Sequence, residues 1–210
     1  MQISRMRCLI SISCLALFLG CSPVHQQMQP ATADPGLLQK FKPAFTVAWY
    51  QTTVDVAGNH LSGLLLFKRM PDSSLRIVFS NEMGFKFFDF EFDTGGNFRV
   101  HSIIGKMNRK SVLKTLRKDF ELILMERPDR TAAIVKSSGG LLYHIFPQQK
   151  GYNYYITDES GNELVRMERA SRSKTVVEAV MQHYTNGIPD TIGISHKTFE
   201  FTIGLKRIEL

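Results

Sequence analysis

The side chains able to do chemistry are few and poorly spaced for it. The chain has three cysteines, at positions 8, 14 and 21. Its six histidines, at 25, 60, 101, 144, 183 and 196, include no i, i+4 pair of the kind that holds a metal from one helix face. No Gly-x-Ser-x-Gly elbow, His-Glu-x-x-His helix, P-loop or Gly-x-Gly-x-x-Gly turn occurs. The turn Asp158-Glu159-Ser160-Gly161-Asn162 lacks the alternating acids and the later Glu of a calcium loop. Asp89 and Glu91 are a closely spaced pair of carboxylates, but they alternate with Phe88, Phe90 and Phe92. Alternation puts both acids on one face of a strand, and the expectation is a solvated face rather than an acid–base couple. No catalytic residue, no metal and no cofactor is expected.

Cys21 differs from the other two thiols in what precedes it. Arg5 and Arg7 open the chain, and Leu9 to Leu19 is uncharged and mostly apolar. That run fits the roughly 7–15 residues of a signal-peptide core and falls short of the roughly 20 a transmembrane helix needs. The run closes as Phe18-Leu19-Gly20-Cys21, which resembles the lipobox of bacterial lipoproteins, with Phe18 where Leu is more usual. The resemblance implies cleavage before Cys21, whose new terminus would carry acyl chains such as palmitate. Residues 1–20 are then a leader, and residues 21–210 keep no free thiol and no disulfide, so redox and zinc-thiolate chemistry are excluded. They also keep 24 basic against 19 acidic side chains, a net charge of about +5. A mild positive balance suits anionic membrane surfaces or acidic partners. The exported compartment argues against nucleic acid.

Residues 21–43 read as a lipid-anchored flexible tether. Pro23, Pro30, Pro35 and Pro43 are interspersed with Gln, and little apolar pattern precedes Leu37. Leu37 to Phe41 is a candidate helical turn that docks on the domain. Residues 44–210 read as a single β-rich domain, mainly β, with an antiparallel sheet that curls or closes and one main helix packed on it. Strands are expected at 44–54, 61–69, 75–80, 85–92, 98–104, 132–136, 141–146, 152–158, 163–170, 192–195 and 198–208, roughly ten in all. Residues 176–184 suit either a strand or a helix. In the fourth of these strands Phe85 and Phe87 alternate in one phase, and Phe88, Phe90 and Phe92 in the other. A phase slip of one residue is what a β-bulge at Phe87-Phe88 produces. The helix is expected over 108–125, capped by Asn108. Val112, Leu113, Leu116, Phe120 and Ile123 form its apolar stripe, and Arg109, Lys110, Lys114, Arg117 and Lys118 lie mostly off it.

This order of elements resembles the LolA/LolB-like lipoprotein carriers, above all the outer-membrane lipoprotein receptor LolB. Two stretches carry the resemblance: Leu75-Arg76-Ile77-Val78-Phe79-Ser80-Asn81-Glu82-Met83-Gly84 before the Phe-rich strand, and Ile188-Pro189-Asp190-Thr191-Ile192 before the final hairpin. The resemblance implies a curved antiparallel sheet, an unclosed half-barrel with the main helix packed over its opening, around an apolar cavity for acyl chains. Candidate acyl-chain contacts are Phe79, Phe88, Phe90, Phe92, Leu116 and Phe120. Met83 falls on the position that projects from the domain in the family and would contact the membrane; Glu82 stands where the family has Pro. The implied function is to bind lipid or lipoprotein acyl chains and aid their delivery to the outer membrane. The partners expected are the membrane, through lipidated Cys21, and an acyl chain, with the protein a monomer. Ser22 is not the Asp that retains lipoproteins in the inner membrane, which favours the outer membrane facing the periplasm. The alternative is a structural or interaction lipoprotein with a filled core that docks an envelope partner, because core-filling and cavity-lining Phe read identically in sequence.

Overall fold

The computed structural model describes residues 28–34, 36–126 and 134–209. Cys21 and the leader lie outside the described residues, as do the first two residues of the strand expected at 132–136. Among the described residues thirteen strands form one antiparallel sheet: β1 (Gln29–Pro30), β2 (Val47–Val56), β3 (Asn59–Arg69), β4 (Leu75–Ser80), β5 (Lys86–Phe92), β6 (Phe98–Ile103), β7 (Ile134–Ser138), β8 (Leu141–Pro147), β9 (Tyr152–Asp158), β10 (Leu164–Ala170), β11 (Thr175–Thr185), β12 (Ile188–His196) and β13 (Phe201–Ile208). The spatial order is β1-β7-β8-β9-β10-β11-β12-β13-β2-β3-β4-β5-β6. Outer strands β1 and β6 do not pair with each other, so the sheet stays open.

Among the described residues the one α-helix is α1 (Lys110–Ile123). It lies over the inner face of the sheet and reaches both halves. Phe120 meets Phe67, Phe88 and Phe90 edge-on, with ring centroids 6.0–6.4 Å apart. On the other side the Tyr155 hydroxyl donates to the Leu122 carbonyl at 3.4 Å. No helix among the described residues is long and apolar enough to cross a membrane.

The stretch 176–184 is strand throughout, consistent with its β-branched start. The bulge falls where the phase slip put it: Phe79 pairs with Phe88 but Ser80 pairs with Lys86, leaving Phe87 as the extra residue. Leu37–Phe41 forms a 3-10 turn that buries Leu38 and Phe41 in the core. Within the stretch read as a tether, Gln29 and Pro30 also pair with β7.

Two local expectations are corrected. Asn108 does not cap α1; Arg109 holds the cap position, with no side-chain cap bond. The Asn108 N–H instead turns back on Ile104 and Gly105, at 3.1 and 3.2 Å from their carbonyl oxygens. Nor are Asp89 and Glu91 solvated: both are buried. Asp89 accepts from Arg76 Nε and Nη2 at 2.9 and 2.7 Å and from Lys86 Nζ at 2.9 Å. Glu91 is engaged by Arg99 Nη1 and His101 Nε2, both at 2.7 Å. Long basic side chains from neighbouring strands lie across this face and cover the acids with their stems.

Candidate functional site

Side-chain size along the inner face decides where the interior is solid. At one end Phe45 stacks on Phe67, with centroids 4.2 Å apart, and Tyr50 meets both rings edge-on at 6.4 and 5.6 Å. The Tyr50 hydroxyl donates to the Pro189 carbonyl at 2.6 Å. Leu38, Phe41 and Ile77 are buried in the same core. Toward the other end the side chains shorten. Beyond Tyr50, β2 presents Thr52, Val54 and Val56. Beyond Phe67, β3 presents Leu65, Gly63 and Leu61, and Thr52 pairs with Gly63 and Val54 with Leu61. A Cβ on Gly63 would sit 2.1 Å from the Ser80 carbonyl oxygen, so the close approach of β4 demands glycine there. These short side chains do not fill the space under the N-terminal half of α1, and a cavity of about 600 Å³ remains.

That volume is ordinary for a site holding one small ligand. The floor is buried and apolar, with Leu65, Phe79, Phe88, Leu116 and Phe120. Thr52 is the buried polar group there, and its hydroxyl is already spent on the Tyr50 carbonyl at 3.2 Å. The mouth lies among exposed Asn59, Lys106, Ser111 and Phe199. It opens at the end of the sheet that carries the β2–β3 turn, the 197–200 bend and the β6–α1 connection.

Of the six residues expected to contact an acyl chain, Phe79, Phe88, Leu116 and Phe120 line this cavity. Phe90 and Phe92 do not; both are buried in the packed core, Phe90 stacked on Phe88 at 4.3 Å. Phe120 stands at the boundary, between core rings and open space. Met83 projects from the β4–β5 loop and is 92% exposed. Asn81 holds that loop without a proline. Its backbone N–H donates to the Phe85 carbonyl at 2.9 Å, and its side-chain oxygen accepts from the Phe85 N–H at 2.8 Å. Gly84 supplies the positive φ of +82° that closes the turn. Phe85 is also exposed, so two large apolar side chains stand together at this tip.

Beside the cavity is a buried ionic cluster that the sequence reading missed. Asp119, wholly buried on α1, accepts from Arg169 Nη2 of β10 at 3.0 Å and faces His196 Nε2 of β12 at 2.9 Å. The His196 ring packs on Phe199 and Phe201, 4.6 and 4.8 Å between centroids, and both of those line the cavity. The signal was present: Asp119 follows Leu116 by three residues and precedes Ile123 by four, inside the apolar stripe, where an acid needs a partner. The cluster pins α1 to the half of the sheet opposite the Phe-rich strands. Lys118 lies next to it, its ammonium pushed below the usual range by burial and by the charges of Arg169 and Lys114. Among the described residues no three metal-ligating side chains converge.

No family model matches this chain, and no curated protein matches it. Solved structures similar in fold include a DUF1329 family protein from Desulfovibrio piger. Its TM-score is 0.46 at 10% identity, covering 86% of this chain and 92% of that one. A domain from Vibrio parahaemolyticus described as an outer membrane lipoprotein-sorting protein matches at a TM-score of 0.46 and 7% identity, covering 83% and 90%. A LolA superfamily protein from Nitrosomonas europaea matches at 0.47 and 9%, covering 85% and 93%.

Proposed function

We propose that this protein is a bacterial envelope lipoprotein that holds a lipid or lipoprotein acyl chain in the cavity under α1 and aids its delivery to the outer membrane. The observation that carries the reading is the apolar cavity of about 600 Å³ with a floor of buried Phe and Leu. An acyl chain gains about 0.8 kcal/mol per methylene taken from water, and the floor offers no free polar group to oppose it. No bond need be made or broken; differential affinity between cavity and bilayer is enough to move a cargo. Met83 and Phe85, at the mouth end, would dip into the bilayer while the cargo passes. Lipidated Cys21 would keep the domain at the membrane.

The test is binding of a fluorescent fatty acid to the chain purified without residues 1–21. Saturable binding that Phe88→Ala weakens is expected; no binding at any concentration below the probe's own aggregation would remove the carrier role. The anchor is tested separately. Cys21→Ala should release the protein from membranes, and a variant that stayed bound through a high-salt wash would show that acylation is not what holds it.

A further inference from the structure

The cavity wall is mostly apolar, and its one charge lies near the mouth. Lys106 is the single ionised side chain in the wall. It is exposed, and among the described residues it makes no ion pair or hydrogen bond through its side chain. Its surroundings are basic: from Thr94 to Lys118 the chain has no Asp or Glu, and Arg109 and Lys110 follow at the start of α1. That helix start carries no acid in its first turn and no side-chain cap, and Ser111, in the same turn, also lines the cavity. Across the mouth, the carboxylate of Glu200 in the 197–200 bend accepts from the Gly58 N–H at 3.1 Å and does not line the wall. Inside, the floor of Leu65, Phe79, Phe88, Leu116 and Phe120 carries no charge, and the hydroxyls near it are those of Thr52, bonded to the Tyr50 carbonyl, and Thr115.

We propose that the ligand is an anionic amphiphile, bound chain-first, with its acyl chain on the Phe79–Phe88–Phe120 floor and its carboxylate or phosphate head at Lys106. This deepens the carrier reading and rests on it. The direction follows from the polarity gradient. A charged head driven to the floor would be desolvated with no partner, whereas at the mouth it keeps water and gains a cation. A neutral amphiphile would fill the same floor but leave the Lys106 attraction unused. The ion pair is solvent-exposed, so its contribution is modest, about three- to fivefold in affinity.

The test is displacement of a neutral apolar dye, phenylnaphthylamine, from the purified full chain by lauric acid and by lauryl alcohol. It is run at about pH 8, where a carboxylic acid is ionised. Lauric acid should bind about three- to fivefold tighter than the alcohol. Lys106→Gln should remove that preference, and Lys114→Gln, off the cavity wall, should keep it. Lauryl phosphate should behave as lauric acid does, whereas inorganic phosphate alone should displace nothing. Equal binding of acid and alcohol to the unaltered chain, or a preference that survives Lys106→Gln, would overturn the head-group assignment and leave the carrier reading standing. Uptake of neither the dye nor any amphiphile would overturn both.

Discussion

Val54→Phe separates a cavity from a core more cleanly than any truncation. Val54 lies on β2 in the cavity wall, opposite Leu61 on β3. Both Val and Phe suit a strand, so the backbone has no reason to change. In a cavity of about 600 Å³ the larger side chain meets empty space rather than neighbours. The added apolar surface should stabilise the fold by about 1–2 kcal/mol at 25–30 cal/mol per Å², an upper estimate because the unfolded chain buries some of it too. For a domain of this size that is a melting temperature higher by about 2–8 °C. Ile77→Phe is the matched control. Ile77 is fully buried in the solid end, its pairing neighbours Phe67 and Phe90. Overpacking there should cost about 1–3 kcal/mol. Thermal and urea unfolding measure both, and dye uptake reads the cavity. Val54→Phe should be at least as stable as the unaltered chain and bind the dye at least tenfold more weakly. If it is destabilised as much as Ile77→Phe, or binds dye unchanged, the space under α1 is not a usable cavity and the reasoning fails.

Three further outcomes follow from particular side chains. Asp119→Ala leaves the Arg169 guanidinium buried without its counter-charge and should cost about 3–5 kcal/mol in urea unfolding; a loss under 1 kcal/mol would mean the cluster is not what pins α1. Burial lowers the pKa of His144, which is shut in beside Thr157 at 3.4 Å. Between the folded and unfolded values the unfolded chain binds more protons, so this contribution is full above about pH 6.5 and is lost as pH falls through the folded value. His144→Gln should therefore flatten the decline in stability measured between about pH 7 and pH 5, and an unchanged slope would assign that decline to other groups. Met83→Glu, at a side chain 92% exposed, should change stability by no more than about 0.5 kcal/mol yet slow transfer of a fluorescent lipid from the protein to vesicles. Unaltered transfer would remove the membrane role from this tip.

The parts of the fold that obey a short-range rule were legible in the residues. Period-two alternation marked most of the strands, and the slip of phase at Phe87-Phe88 located the bulge. The spacing of Leu116, Phe120 and Ile123 identified the buried face of the only described helix. The two-residue strand Gln29–Pro30 carries no such pattern, because it exists only where β7 offers an edge. Depth along a strand is a different matter. Phe88 and Phe90 have the same residue type and the same inward phase, yet one lines the cavity and the other does not. Alternation tells which face a side chain takes, but whether it meets a ring, a helix or nothing depends on what crosses above it. That was set by where α1 lies and by the shortening from Tyr50 to Thr52 and Val54 on β2, matched by Gly63 and Leu61 on the neighbouring strand. Asp119 shows the same division. Its place inside an apolar stripe announced a buried acid, but its partners Arg169 and His196 stand 50 and 77 residues away in sequence. Only the curling of the sheet beneath the helix brought them within hydrogen-bonding distance, because long-range pairing is fixed by packing and not by any local preference of the chain.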